Sequence, residues 1–157
     1  RNIERTISRS KVMSKYKGHI KLALEPDGLK VHVVDKENKQ MFKKGGGIPK
    51  EFTRTIIKQL GTTINRDPNK IAIFGHTDSA PFQRFNYSNW ELSPDRANAA
   101  RRALVKGGIK ESQIDRVVGL ASTRPYDPEN PEASVNRRIS ILVMNEGGVD
   151  KRFMLDY

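Results

Sequence analysis

The sequence places an acid and an arginine where they could bind one ligand that carries both an ammonium and a carboxylate. Asp78 closes the run Gly75-His76-Thr77-Asp78, which directly follows a short apolar segment. Arg96 follows Leu92-Ser93-Pro94-Asp95. An aspartate accepts hydrogen bonds from an ammonium, and the planar guanidinium of an arginine binds a carboxylate through two parallel hydrogen bonds. Asp78 and Arg96 are therefore the candidate binding residues.

A helix start signal coincides with the second of these patterns. Ser93 is a favourable N-cap, Pro94 suits the first helical position, and Asp95 suits the first turn because the helix dipole attracts acids there. Arg96 would then lie in the first turn, whose unpaired backbone N–H groups also attract anions. The sequence thus predicts a carboxylate site at the N-terminus of this helix.

Three motifs in this order resemble the signature of the OmpA-like peptidoglycan-binding domain. They are Thr77-Asp78, then Leu92-Ser93 with Arg96-Ala97, and finally Asn136-Arg137-Arg138. The ligand of that family is meso-diaminopimelate, whose free end carries an ammonium and a carboxylate on one carbon. The resemblance implies that Asp78 and Arg96 bind this group in the peptide stem of peptidoglycan. It also implies a site lined by Thr77, Leu92, Ser93 and Asn136, with positive charge added by Arg137.

The segment between the motifs indicates a narrower resemblance within this family. Residues 87–93 read Tyr-Ser-Asn-Trp-Glu-Leu-Ser, which is similar to the subunits that tie the flagellar motor stator to the cell wall. This resemblance implies a periplasmic domain of an inner-membrane protein, with a membrane helix before Arg1. It further implies a MotA-like stator partner, reached through that membrane part, and a homodimer.

Two other functions remain open. A structural tether of the OmpA or Pal type, between the outer membrane and peptidoglycan, would use the same site. A nucleic-acid-binding module is indicated only by charge, with 29 Lys and Arg against 18 Asp and Glu and a net charge of +11. Such a module would be expected to carry aromatic residues on a basic sheet face, and the exposed positions of the last predicted strand carry none. We therefore rank nucleic acid last.

Nothing in the sequence indicates catalysis, a cofactor or a metal. The chain has no cysteine, so thiolate metal ligands and disulfides are excluded. His76 has no second histidine or acid at ligand spacing, and we expect it to be structural. No Walker loop or nucleophile elbow is present. We expect a non-catalytic binding domain.

The pattern of elements predicts an α/β fold preceded by a basic arm. Residues 1–24 hold seven Lys and Arg and one acid, and a patchy apolar stripe predicts a helical linker. Residues 25–146 would form the OmpA-like domain, and residues 147–157 a loosely ordered tail. We expect strands at 29–35, 71–74, 117–120 and 135–144, with helices at 49–60 and from Ser93 to Gly107. This β-α-β-α-β-β order favours a sandwich with helices on one face of a mixed sheet.

Four aromatic residues crowd the loop between the first two motifs: Phe82, Phe85, Tyr87 and Trp90. Their rings could stack on the sugars of a glycan, or they could anchor a long loop to the core. We expect the anchoring role, since that is the commoner use of such residues.

Overall fold

The structure, a computed structural model, describes residues 2–145. Its strands are β1 Ile20–Glu25, β2 Gly28–Val34, β3 Ile71–His76, β4 Gln83–Arg84, β5 Tyr87–Ser88, β6 Ile114–Gly119 and β7 Arg138–Met144. Its α-helices are α1 Asn2–Ser8, α2 Lys11–Tyr16, α3 Glu51–Ile64 and α4 Asn89–Lys106.

Five of the strands form one mixed sheet in the order β1-β2-β7-β3-β6. β3 and β6 are parallel, and the other neighbours are antiparallel. β4 and β5 form a separate two-stranded hairpin. The predicted α/β class, with helices packed on a mixed sheet, is confirmed.

One core lies between the sheet and the helices. Alternate residues of each central strand face it, and in β7 these are Ile139, Ile141 and Val143. α3 contributes apolar residues that recur on one face of the helix: Ile56, Ile57, Leu60 and Ile64. α4 contributes mainly alanines, whose small side chains let the helix lie close to the sheet. This close approach fixes the height of α4 above the strand that precedes the first motif.

The first 24 residues differ from the predicted helical linker. The helical prediction is confirmed for α1 and α2, but it is wrong for residues 20–24, which belong to β1 and pair with β2. Ile3, Ile7 and Val12 are buried in the same core cluster as α3. The patchy apolar stripe is therefore a packing surface, because these side chains fill a gap beside α3.

Both predicted helices have different bounds in the structure. α3 continues past Gly61 and ends at Ile64. Gly61 is used for close packing against α4, since an added Cβ would lie 2.8 Å from the Leu104 carbonyl oxygen. α4 begins at Asn89, so the prediction that Ser93 is its N-cap is wrong. Ser88 is the N-cap and forms a capping box with Glu91. Pro94 lies inside the helix and packs on Gly119 of β6.

The remaining strand predictions are confirmed with shifted bounds. β2 and β3 lie within a residue or two of the predicted segments, whereas β6 starts three residues before the predicted position 117. β7 begins at Arg138, because residues 134–136 form a single 3-10 turn. Among residues 2–145, no helix is both long and apolar enough to cross a bilayer. The predicted tail, residues 147–157, lies outside the described residues.

The opposite face of the sheet carries two buried histidines. His32 lies on β2 and bonds to the Ser140 hydroxyl, with 2.7 Å between Nδ1 and Oγ, and His76 lies at the end of β3. Burial, with repulsion from Arg138, lowers the pKa of His32 to about 3 and that of His76 to about 2. Both imidazoles are therefore neutral in the folded protein near neutral pH.

We expect Gly75→Ala to destabilise the protein strongly. A Cβ on Gly75 would lie 2.1 Å from the Ser93 carbonyl oxygen, so β3 and α4 would have to separate. Gly46→Ala is the matched control, since nothing lies within 4 Å of its added Cβ. Urea unfolding should show a loss of about 2 kcal/mol or more for the first variant and little change for the second. Equal stabilities would contradict the close packing of α4 on β3.

We expect stability to fall as the pH drops from 6.5 towards 5. The unfolded chain binds protons at its histidines near pH 6.5, whereas folded His32 and His76 resist protonation until about pH 3 or below. The contribution of the two neutral histidines to the free energy of unfolding is thus fully present above pH 6.5. It is lost on acidification, by at most about 1.4 kcal/mol per pH unit for each histidine. The charges that face them, on Arg138, Lys30, Lys21 and Arg124, are all positive. Urea unfolding at several pH values should show a shallower slope for His76→Asn, and an unchanged slope would contradict this account.

Candidate functional site

Charged residues from three strand ends meet at one edge of the sheet. β2 and β3 both end beside the start of β7, since Arg138 pairs with Val34 on one side and with His76 on the other. Asp35 follows β2, Asp78 lies two residues after β3, and Arg137 immediately precedes β7. The sheet order therefore brings together two acids and an arginine that are far apart in sequence.

Arg137 bridges the two acids. Its Nε donates to Asp35 Oδ2 at 2.8 Å, and its Nη1 donates to Asp78 Oδ2 at 2.5 Å. Burial alone would lower the pKa of Arg137, but the hydrogen bonds to both carboxylates raise it above its ordinary value. Asp35 also accepts the Met41 backbone N–H at 2.8 Å. The side chain of Asp35 is only 4% exposed, so this carboxylate is a fixed internal counter-ion.

Arg96 reaches the same cluster from α4. Its Nε donates to the Gly46 carbonyl at 2.9 Å, and its guanidinium lies 4.9 Å from the centre of the Phe42 ring. Burial lowers the pKa of Arg96, while the nearby carboxylates of Asp35 and Asp78 act to raise it. No residue among 2–145 accepts a hydrogen bond from its Nη groups. The Nη groups are the part of a guanidinium that can bind a carboxylate through parallel hydrogen bonds.

The site combines positive and negative groups in equal number. Two carboxylates, on Asp35 and Asp78, face two guanidinium groups, on Arg96 and Arg137. A cluster with no net charge favours neither a simple anion nor a simple cation. Such a cluster can pair with a group that carries an ammonium and a carboxylate together, because it offers a partner for each charge.

The other four predicted site residues are buried. The Ser93 hydroxyl accepts the Ala121 N–H at 3.0 Å, and the Ala121 carbonyl accepts the Thr77 N–H at 2.9 Å. Asn136 bonds to Asp127 and Asn130 and so fixes the preceding loop. Leu92 is 5% exposed. Thr77 and Asn136 thus have fixed hydrogen bonds and directly precede Asp78 and Arg137 in the chain. The predicted lining role stays a prediction for all four residues.

Sequence reasoning missed Asp35 and the loop that holds Arg96. An acid close to the end of a strand was the signal, since Asp35 directly follows β2 and Asp78 lies two residues after β3. That signal becomes specific only once the strand order is known, because β7 lies between the two. The Gly46 carbonyl offers no sequence signal, since any residue carries one.

His76 belongs to the opposite face of the sheet and does not join the charged cluster. Within residues 2–145, no group of three or more His, Cys, Asp or Glu residues could hold a metal ion. The expected structural role of His76 agrees with its burial beside Arg138.

The fold and the paired charges at the strand ends define a class of protein. The chain belongs to the OmpA family, which matches residues 41–138. It is 42% identical over 130 residues to Motility protein B of Escherichia coli strain K12, an alignment that covers 82% of this chain and 42% of that protein. The chain therefore spans less than half the length of that curated relative.

Solved structures show the same fold. The periplasmic domain of Helicobacter pylori MotB matches with a TM-score of 0.72 and 18% identity, over 86% of this chain and 85% of that one. The cell wall anchor of the T6SS from Pseudomonas aeruginosa matches with a TM-score of 0.68 and 18% identity, over 87% and 96% of the two chains. The predicted resemblance to MotB periplasmic domains is confirmed.

We expect Arg137→Ala to destabilise the protein by about 3 kcal/mol. The change leaves two carboxylates, one of them buried, without their shared counter-ion. Arg101→Ala is the matched control, because Arg101 pairs with the exposed Glu111 and such pairs contribute about 0–1 kcal/mol. Urea unfolding at pH 7 measures both. Similar losses for the two variants would contradict a structural role for the bridge.

Proposed function

We propose that this chain is a non-catalytic peptidoglycan-binding domain that anchors a flagellar motor stator to the cell wall. The observation that carries the proposal is the cluster at one edge of the sheet, where Arg137 is bonded to Asp78 and the carboxylates of Asp35 and Asp78 act electrostatically on Arg96. Asp78 accepts the ammonium of meso-diaminopimelate in the peptide stem, and Arg96 binds the carboxylate on the same carbon. Arg137 orients Asp78 and contributes positive field.

The electrostatics favour this ligand over a free anion. Arg96 is surrounded by two carboxylates and one guanidinium, so its positive charge is partly compensated. A simple anion would gain little there, since it would meet Asp35 and Asp78 as well. A ligand with adjacent opposite charges pairs with both sides of the cluster. The buried residues Thr77, Leu92, Ser93 and Asn136 hold the charged side chains in place.

The stator assignment rests on the relatives. The identity of 42% to Motility protein B extends over most of this chain, including the segment before the first motif. We accordingly place the domain in the periplasm, joined to an inner-membrane part that works with a MotA-like subunit, and acting as a homodimer. A tether of the OmpA or Pal type shares the site, and the similarity to a motility protein disfavours it.

We expect Arg96→Ala to abolish pull-down of the protein with purified sacculi almost completely. Removing one partner of a desolvated charge contact typically costs about 2–5 kcal/mol. Arg96→Lys should also bind poorly, because an ammonium cannot form the two parallel bonds of the guanidinium. Cosedimentation with sacculi at fixed ionic strength is the measurement.

Arg102→Ala is the control for this experiment. Arg102 lies on the same helix, is exposed, and carries the same charge, so its loss should leave cosedimentation nearly unchanged. Circular dichroism and thermal unfolding establish that each variant is folded. A folded Arg96→Ala protein that binds sacculi as well as the unchanged chain would refute the assignment.

A further inference from the structure

The hairpin of β4 and β5 presents large apolar side chains to solvent beside the proposed site. Phe85, in its two-residue turn, is 92% exposed, and Trp90, in the first turn of α4, is 57% exposed. The expected anchoring role fits the other two aromatic residues of this loop. Phe82 and Tyr87 pack edge to face, with 5.9 Å between ring centroids. Aromatic residues are enriched at binding surfaces. The exposure of Phe85 and Trp90 therefore makes the hairpin and the start of α4 a candidate binding surface.

A shallow concave surface lies along the same hairpin. Its lining is polar and contains amide, guanidinium, hydroxyl and carboxylate groups, from Gln83, Arg84, Asn86, Tyr87, Ser88 and Glu91. Hydrogen bonds from the backbone and hydroxyl of Ser88 lower the pKa of the Glu91 carboxyl, which therefore stays ionised. Planar polar groups of this kind bond to the hydroxyl and acetamido groups of sugars, while aromatic faces cover the apolar side of a sugar ring.

Hydrogen bonds on two sides join the hairpin to the segments that hold the charged site. On one side, Arg84 donates to the Gly45 carbonyl at 3.4 Å, next to the Gly46 carbonyl that holds Arg96. The Tyr87 hydroxyl donates to Asp95 at 2.5 Å. On the other side, Asn89 donates to the Ala80 carbonyl at 3.2 Å, and the Ala80 N–H donates to Asp78 at 2.9 Å. The hairpin is therefore continuous with the side chains proposed to hold the stem peptide.

We propose that this hairpin binds the glycan strand of peptidoglycan, with Phe85 and Trp90 stacking on N-acetylated amino sugars. This inference rests on the proposed function, because the stem peptide held by Asp78 and Arg96 is covalently joined to such a sugar. About three residues of extended stem reach roughly 10 Å, so the sugar must lie close to the peptide site. The hairpin supplies aromatic and polar groups next to that site, through the contacts of Arg84 with Gly45 and of Asn89 with Ala80.

The extent of the exposed surface favours a sugar over a second copy of the chain. Two aromatic side chains bury at most roughly 150–250 Å² each. A stable protein interface buries about 800 Å² per partner, with an apolar centre. The concave surface next to Phe85 is instead lined by polar side chains, which suits a hydroxyl-rich ligand.

The test compares Phe85→Ala/Trp90→Ala with Arg96→Ala on three probes. The probes are intact sacculi, glycan chains stripped of their stems, and the free stem peptide that contains meso-diaminopimelate. Leu24→Ala is the matched control, since Leu24 is a large apolar residue that is 64% exposed on β1. Both aromatic side chains are exposed, so the double variant should keep its thermal unfolding temperature. Cosedimentation measures the sacculi, and calorimetry the other two probes.

The double aromatic variant should lose at least about tenfold in affinity for sacculi and for stripped glycan, the usual scale for truncating a central aromatic contact. Its affinity for the stem peptide should not change, and Leu24→Ala should behave like the unchanged chain. Arg96→Ala should lose the stem peptide and keep the stripped glycan. If the unchanged chain binds stripped glycan but not the stem peptide, the peptide assignment fails and the hairpin proposal stands.

Other results overturn the hairpin proposal. One is stripped glycan that does not bind the unchanged chain, or that binds the double variant equally well. Another is a dimer that dissociates in the double variant while its affinity for glycan is unchanged, which would assign the surface to a second copy. A third is found with vesicles of anionic phospholipid as an additional probe. If the double variant loses affinity for the vesicles and keeps its affinity for glycan, the surface is assigned to a membrane.

Discussion

The bridge from Arg137 to Asp35 and Asp78 is the interaction on which the proposed site depends. A carboxylate as buried as Asp35 is stable only with a close counter-charge, and Arg137 supplies it at 2.8 Å. The same guanidinium holds Asp78, whose side chain is 13% exposed. Because Arg137 precedes the central strand β7, the bridge joins the ends of the strands on either side of it, β2 and β3. The orientation of Asp78 is thereby tied to the integrity of the sheet.

Arg96 is fixed from the opposite direction, by a helix and a loop. Its backbone belongs to α4, whose height above β3 is set by contact with Gly75, and its Nε is held by Gly46. The position of Arg96 therefore depends on the packing of α4 against β3 and on one carbonyl of the loop that contains Gly46. Binding groups that are held in place before the ligand arrives lose little entropy on binding. This favours recognition of one fixed spacing between ammonium and carboxylate.

The sequence predicted the fold better than it predicted the supports of the site. Apolar periodicity identified α3 and the central strands, because their side chains have to face one core. The start of α4 was misplaced because two N-cap signals compete, and the complete capping box of Ser88 and Glu91 prevails over the Ser93-Pro94 signal. Asp35 could not be assigned because its partners are brought to it only by the sheet order. The burial of Ile7 could not be predicted for a similar reason. Ile7 is buried by contact with the core cluster that includes α3, and the sequence does not reveal that contact.

The earlier start of α4 changes which forces can hold a ligand. If the helix began at Ser93, its free N–H groups would lie beside Arg96 and share the carboxylate. With the N-terminus at Asn89, those groups lie next to the hairpin, and Arg96 is two turns further on. In the proposed binding mode the guanidinium of Arg96 acts without the helix dipole, which falls off within the first turn. One such contact gives modest affinity, but peptidoglycan repeats the same group along a polymer. A second contact on the same strand raises the effective concentration of the first, so a surface next to the site can add binding strength that Arg96 alone does not provide.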